Sequence, residues 1–249
     1  MTLDGETGGG TDAGDTRDAG NSPEQLAFLF HFAPRFDRAS FVTSHSNFEA
    51  LTAIDQWPAW RHPALALYGP PACGKSHLAA MWAADARAET LDARRLAGLE
   101  PRHGAAYLLD LGVGAPPQEE ALFHFLNRVD QGEASLLLAA RVPPSRWPVE
   151  LPDLATRLGA IPSVGVGTPD EGLMRAVLAK HLKDRQLALP AALVDFLVEQ
   201  MGASLSGLAG LVEALEREVV RGRRIPSRAR VVDLLVALGA DEEGSLTDS

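Results

Sequence analysis

The segment GPPACGKS, from Gly69 to Ser76, gathers the residue types that handle phosphate. Gly69 and Gly74 let the main chain turn tightly and aim its N–H groups inward, where they can surround phosphate oxygens. Lys75 then reaches the outer phosphates, and the Ser76 hydroxyl is a hard oxygen ligand for magnesium. Pro70, Pro71, Ala72 and Cys73 complete the turn, and His77 follows it. The spacing predicts a site for a purine nucleotide, ATP or ADP, with Mg2+. Cys73 stands where many such loops have glycine, and is open between a small tolerated side chain and a redox-active thiol.

A second acidic element belongs to the same chemistry. Tyr107-Leu108-Leu109-Asp110 reads as an apolar strand ending in a carboxylate, placed to hold magnesium through water. The same residues also fit a buried strand that happens to end in an exposed acid. The following position, where a second acid would orient an attacking water, is Leu111. Fast hydrolysis by this chain alone is therefore not expected. The histidines at 31, 45, 62, 77, 103, 124 and 181 show no metal-ligand spacing, so no zinc is expected.

These residues need elements to hold them. Ala64 to Tyr68 reads as a buried strand running into the Gly69 turn, with Lys75 to Ala84 as the helix after it. Ala105 to Asp110 and Ser135 to Ala140 are further short apolar runs. Between them Leu122, Phe125, Leu126 and Val129 recur at helical spacing. Strands alternating with helices predict an α/β fold, a parallel sheet covered on both faces. After about residue 168 only helical periodicity remains: Leu193, Phe196 and Leu197 form one face, Leu205, Leu208, Val212 and Leu215 another, and Val231, Leu234, Leu235 and Leu238 a third. The expected organisation is a disordered acidic tail at 1–24, a short peptide at 25–30, an α/β nucleotide-binding domain at 31–168, a helical lid at 169–238 and an acidic tail at 239–249.

Composition narrows the class. With 46% apolar residues the 249-residue chain can build a substantial core, and its one cysteine excludes an internal disulfide framework. No apolar run approaches the roughly 20 residues a membrane span needs, and no basic-then-apolar leader opens the chain. A reduced, cytoplasmic protein without membrane contact is expected. Residues 1–24 carry six acids against Arg17 and residues 239–249 carry four, so nearly all of the net charge of -10 lies at the two ends. The basic cluster Arg221, Arg223, Arg224, Arg228 and Arg230 reads best as a solvated loop between lid helices.

Four stretches together make the chain similar to the DnaA-related AAA+ ATPases: Phe41-Val42 through Ser46-Asn47, GPPACGKSHL at 69–78, LLLAARVPPSRWPVELPDLATRL at 136–158, and the helical lid. The resemblance implies an AAA+ fold that binds ATP or ADP and works with the DnaA initiator and the replication sliding clamp. It also implies control of replication initiation, and association of copies. By resemblance Arg157 is a finger that reaches a nucleotide on a neighbouring subunit, a role suited to a planar fork of donors. Judged from the residues alone, it equally caps its own helix. Phe41, Val42 and Asn47 match the segment beside the adenine, or simply pack at a helix start. Gln25, Leu26, Phe28, Leu29 and Phe30 resemble a clamp-docking peptide, with Phe28 where the family has leucine, and fit a first core strand equally well.

Three departures shape the expectation. Ala139-Ala140 precede Arg141 where the family has a polar γ-phosphate sensor, Ser206 stands where a lid helix supplies a phosphate-touching arginine, and Leu111 replaces the second acid. A bound ADP is favoured over γ-phosphate sensing. A helix-turn-helix domain for duplex DNA is not expected, since few residues follow Leu238. A nucleotide-bound scaffold without hydrolysis and an autonomous P-loop kinase remain the alternatives.

Overall fold

A computed structural model describes residues 38–111, 118–222 and 227–245. The acidic tail at 1–24, the peptide at 25–30 and residues 246–249 lie outside them. Helix α1 (Phe48–Asp55) precedes strand β1 (Ala64–Tyr68), helix α2 (Lys75–Ala86) and strand β2 (Glu89–Leu91). Strand β3 (Ala105–Asp110), helix α3 (Glu119–Asp130), strand β4 (Ala134–Ala140), helix α4 (Pro152–Ala160) and strand β5 (Ser163–Gly165) follow. Four helices then close the chain: α5 (Glu171–Asp184), α6 (Ala191–Met201), α7 (Leu208–Gly222) and α8 (Arg228–Ser245).

The five strands form one parallel sheet in the order β2-β3-β4-β1-β5. β1 and β4 are apolar almost throughout because both faces of the sheet centre are covered. Alternation along the strands divides the core in two. Leu65, Leu67, Leu108, Leu137 and Ala139 pack with α1 and α2 on one face. Tyr107, Leu109, Leu136 and Leu138 pack with α3 and α4 on the other. α3 buries Leu122, Phe125, Leu126 and Val129 there, each contributing about 1.5–3 kcal/mol. Leu178, Leu197, Leu211, Val212, Leu215 and Val231 build a separate core for α5 to α8.

The expected strands at Ala64–Tyr68 and Ala105–Asp110 form as read. Two edge strands were not foreseen, β2 and β5; at three residues each they are too short to show alternation. β5 lies just before residue 168, after which only helical periodicity is read. Leu205 does not share the helical face of Leu208 and Val212, because α7 begins only at Leu208.

Candidate functional site

The turn after β1 is held open by its surroundings. Gly69 N donates to Ala140 O at 3.3 Å and Val166 N donates to Tyr68 O at 2.7 Å, so the stem is clamped between β4 and the chain after β5. A Cβ on residue 69 would lie 2.2 Å from the Val166 carbonyl oxygen, which makes glycine obligatory. Gly74 has φ of 101° and occupies the cap position of α2, a left-handed conformation that favours glycine. The turn therefore delivers the chain directly into a helix N-terminus, whose N–H groups and dipole favour an anion.

Lys75 is 7% exposed, and its Nζ donates to Gly69 O at 2.9 Å and Pro70 O at 2.7 Å, which curls the turn around the ammonium. Cys73 is buried in the core beneath the turn and packs as a small apolar residue, 3.6 Å from Lys75 Nζ. Pro70 and Pro71 are exposed on the outside. Ser76 Oγ donates to Asp110 Oδ2 at 3.2 Å. Sequence positions 34 apart thus meet at the carboxyl ends of β1 and β3, where open α/β sheets bind ligands. A hydroxyl and a carboxylate are hard oxygen donors, and this pair fits magnesium held jointly with a phosphate.

Leu111 follows Asp110, but its side chain packs against the α3 face of the core. Ala139 and Ala140 are buried at the end of β4. No polar atom at these three side chains addresses a phosphate.

The segment before α1 forms the flank of the site. Asn47 is 4% exposed; its Nδ2 donates to Val42 O at 2.9 Å and its Oδ1 accepts from Ser44 N at 2.8 Å. Both ends of that amide are spent on the shape of residues 42–47. Phe41 meets the His77 ring edge-on at 5.2 Å. Lys180 on α5 donates to Ala39 O at 2.9 Å. Next to it, burial lowers the His181 pKa, with Arg185, Lys180 and His77 adding to the effect and Asp184 opposing it. Leu205 N donates to Ala72 O at 3.0 Å, and its Cδ1 would lie 3.6 Å from a Cβ at residue 74. The turn at 203–206 therefore docks on the phosphate turn. Ser206 is exposed in that turn, not within a helix.

Arg157 lies on α4, on the sheet face opposite α2. Its Nη1 donates to Asp130 Oδ2 at 2.5 Å, and its guanidinium sits 5.4 Å over the Phe123 ring. Within the basic cluster, Arg230 pairs with Glu218, and Arg228 lies over Phe196 and donates to Ala192 O. Arg223 and Arg224 lie outside the described residues. Sequence reasoning missed Asp130, Glu119 and Leu205 as contributors; no spacing signal points to contacts made between different elements.

The fold is that of an AAA+ P-loop ATPase, a parallel five-stranded sheet followed by an all-helical lid. Domain III of the replication initiation protein DnaA from Thermotoga maritima superposes with a TM-score of 0.66 at 18% identity, over 83% of this chain and 98% of that one. AMPPCP-bound DnaA from Aquifex aeolicus matches with a TM-score of 0.62 at 19% identity, over 77% and 68%. The RuvB Holliday junction branch migration motor of Thermotoga maritima reaches 0.58 at 13% identity, over 81% and 71%. No protein-family model matches the sequence, and no curated protein matches it. Among the described residues no helix is long and apolar enough to cross a membrane.

Proposed function

We propose that this chain binds ATP or ADP at Gly69–Ser76, with magnesium held by Ser76 and Asp110, and acts as a nucleotide-dependent regulator of replication initiation. In this reading it resembles Hda, the regulatory inactivator of DnaA. It offers Arg157 to ATP carried by a DnaA subunit and raises hydrolysis there, with tethering to the sliding clamp through Gln25 to Phe30, a segment outside the described residues. The carrying observation is the cradle itself: Gly69 under the Val166 carbonyl, a helix start at Lys75, and the Ser76–Asp110 contact. Leu111, Ala139 and Ala140 give that cradle no group to drive hydrolysis, which favours turnover on a partner. Arg157 belongs to the other sheet face, away from its own α2, as a group serving a second chain should.

The test adds the protein, with clamp-loaded DNA, to ATP-bound DnaA. ATP turnover should rise, and Arg157→Ala should remove the rise while leaving ADP binding intact. Equal stimulation by the two proteins rejects the role of Arg157.

A second reading is favoured by the Asp130–Arg157 contact, which pairs the arginine within its own chain. There the protein is a nucleotide-bound scaffold and Arg157 a structural residue. Unchanged DnaA turnover on addition of the unaltered protein selects it.

A further inference from the structure

Arg157 is gripped by one helix, and so is the start of the helix that carries it. Asp130 and Phe123, which hold the guanidinium, both belong to α3. At the opposite end of α3, the Glu119 carboxylate accepts from Glu150 N at 2.9 and 3.0 Å and from Leu151 N at 2.9 Å. Leu151 is the cap residue of α4, so Glu119 holds the two main-chain N–H groups at the entry to that helix from a neighbouring element. The two helices thus begin together and end together.

Asp130 is itself fixed. Its Oδ1 lies 3.6 Å from His62 Nε2, and the His62 ring is held in turn by Nδ1 contacts to Ala64 N at 3.0 Å and Ala64 O at 3.2 Å. The fold has little need of the Asp130–Arg157 pair: α4 is already anchored by fully buried Leu154 and Leu158, and half-exposed pairs add little to stability. What the pair does determine is where the guanidinium sits. Among the described residues Arg157 uses only Nη1 for a hydrogen bond, and the remaining donors of the fork are left for an outside acceptor.

We propose that Asp130 is a positioning residue for Arg157. With Phe123 beneath the plane, it holds one edge of the guanidinium so that the other edge meets the phosphate oxygens of a nucleotide on a second chain. This rests on the reading of Arg157 as a group acting in trans. A side chain ordered before encounter loses little rotamer freedom on docking, so the benefit falls on the reacting complex.

The experiment measures turnover of ATP-bound DnaA with clamp-loaded DNA as the regulator is titrated, for the parent, Asp130→Asn, Asp130→Glu and Arg157→Ala. Asp130→Asn should lower maximal turnover about tenfold, equivalent to about 1.4 kcal/mol, with little change in the half-saturating concentration. Asp130→Glu should recover much of the loss, and adding Asp130→Asn to Arg157→Ala should change nothing further. A purely structural residue would instead lower the melting temperature or shift half-saturation. Full or increased turnover with Asp130→Asn, while Arg157→Ala abolishes stimulation, overturns the inference alone; an inert Arg157→Ala overturns the finger reading and this inference with it. Should Asp130→Asn not fold as the parent does, Phe123→Leu tests the same grip, expected to give a smaller loss of maximal turnover, with parent-like turnover counting against it.

Discussion

Replacing Gly69 by alanine isolates the cradle from everything else in the molecule. The added Cβ would stand 2.2 Å from Val166 O, whereas carbon and carbonyl oxygen ordinarily approach to about 3.3 Å. The acceptor cannot swing aside: it is main chain, its residue is 2% exposed, and Val166 N is already bonded to Tyr68 O. The stem of the turn must therefore move by about 1 Å, enough to spoil aligned contacts. Losing two charge-assisted N–H contacts to phosphate, at about 1.5–3 kcal/mol each, weakens binding at least about 100-fold. The assay is thermal unfolding with and without ADP. At an ADP concentration about 100 times its dissociation constant, the parent gains about 2.7 kcal/mol, or about 5–10 °C for a chain of this size. The same concentration should raise Gly69→Ala by only about 1 °C. Gly159→Ala is the control: its Cβ meets nothing within 4 Å, and an alanine in the interior of α4 should retain the full ADP shift with about 0.5–1 kcal/mol of added stability. A folded Gly69→Ala protein with the parent's ADP shift refutes the cradle.

Glu119→Ala leaves the N–H groups of Glu150 and Leu151, at the entry to α4, without their acceptor, and should cost about 1–2 kcal/mol, read as a lower melting temperature, with Glu119→Gln intermediate. His181 gives a pH signature. Its folded pKa is lowered by burial and by Arg185, Lys180 and His77, so the unfolded chain takes up the proton first as pH falls. The stability associated with the neutral ring is complete above the unfolded value, about 6.5, and is lost as pH drops below it toward the lower folded value. Melting temperature should fall from pH 7.5 to pH 5.5, and His181→Gln should flatten that slope; an unchanged slope refutes the assignment.

The parts of the site legible in the sequence are those that follow local rules. GPPACGKS specifies its own turn, and the run at 105–110 announces both its burial and the acid at its end. Their meeting through Ser76 and Asp110 was readable because the phosphate turn leads from the carboxyl end of β1 into the helix that carries Ser76, and Asp110 ends β3. Glu119 was not readable as a cap: it lies in the first turn of its own helix, where a glutamate is unremarkable, and its partners come more than 30 residues later. Asp130 looks like an ordinary helix-end acid, and only the packing of α3 beside α4 brings Arg157 to it. Leu205 misled because its spacing from Leu208 and Val212 suits a helix. The main-chain bond to Ala72 claims it for a turn instead, and no periodicity carries that information.

Leu205 also bears on how a phosphate bound at the turn would reach the C-terminal helices under the proposed function. The turn before α7 is joined to the phosphate turn by a main-chain hydrogen bond at Ala72, a residue held at φ of 54°. Phosphates drawing the N–H groups of 72–76 inward would act on that bond directly, with no arginine at 206 required. β3 supplies Asp110 at its end, and the next helix, α3, grips Arg157 on the sheet face opposite α2. Asp110 and the helix that holds Arg157 thus belong to consecutive elements of the chain. Under the proposed function, a nucleotide that shifted Asp110 would act on the strand leading to α3, and one that shifted Ala72 would act on the turn before α7. The two routes separate experimentally: Leu205→Pro removes the N–H that donates to Ala72 O and leaves Asp110 untouched.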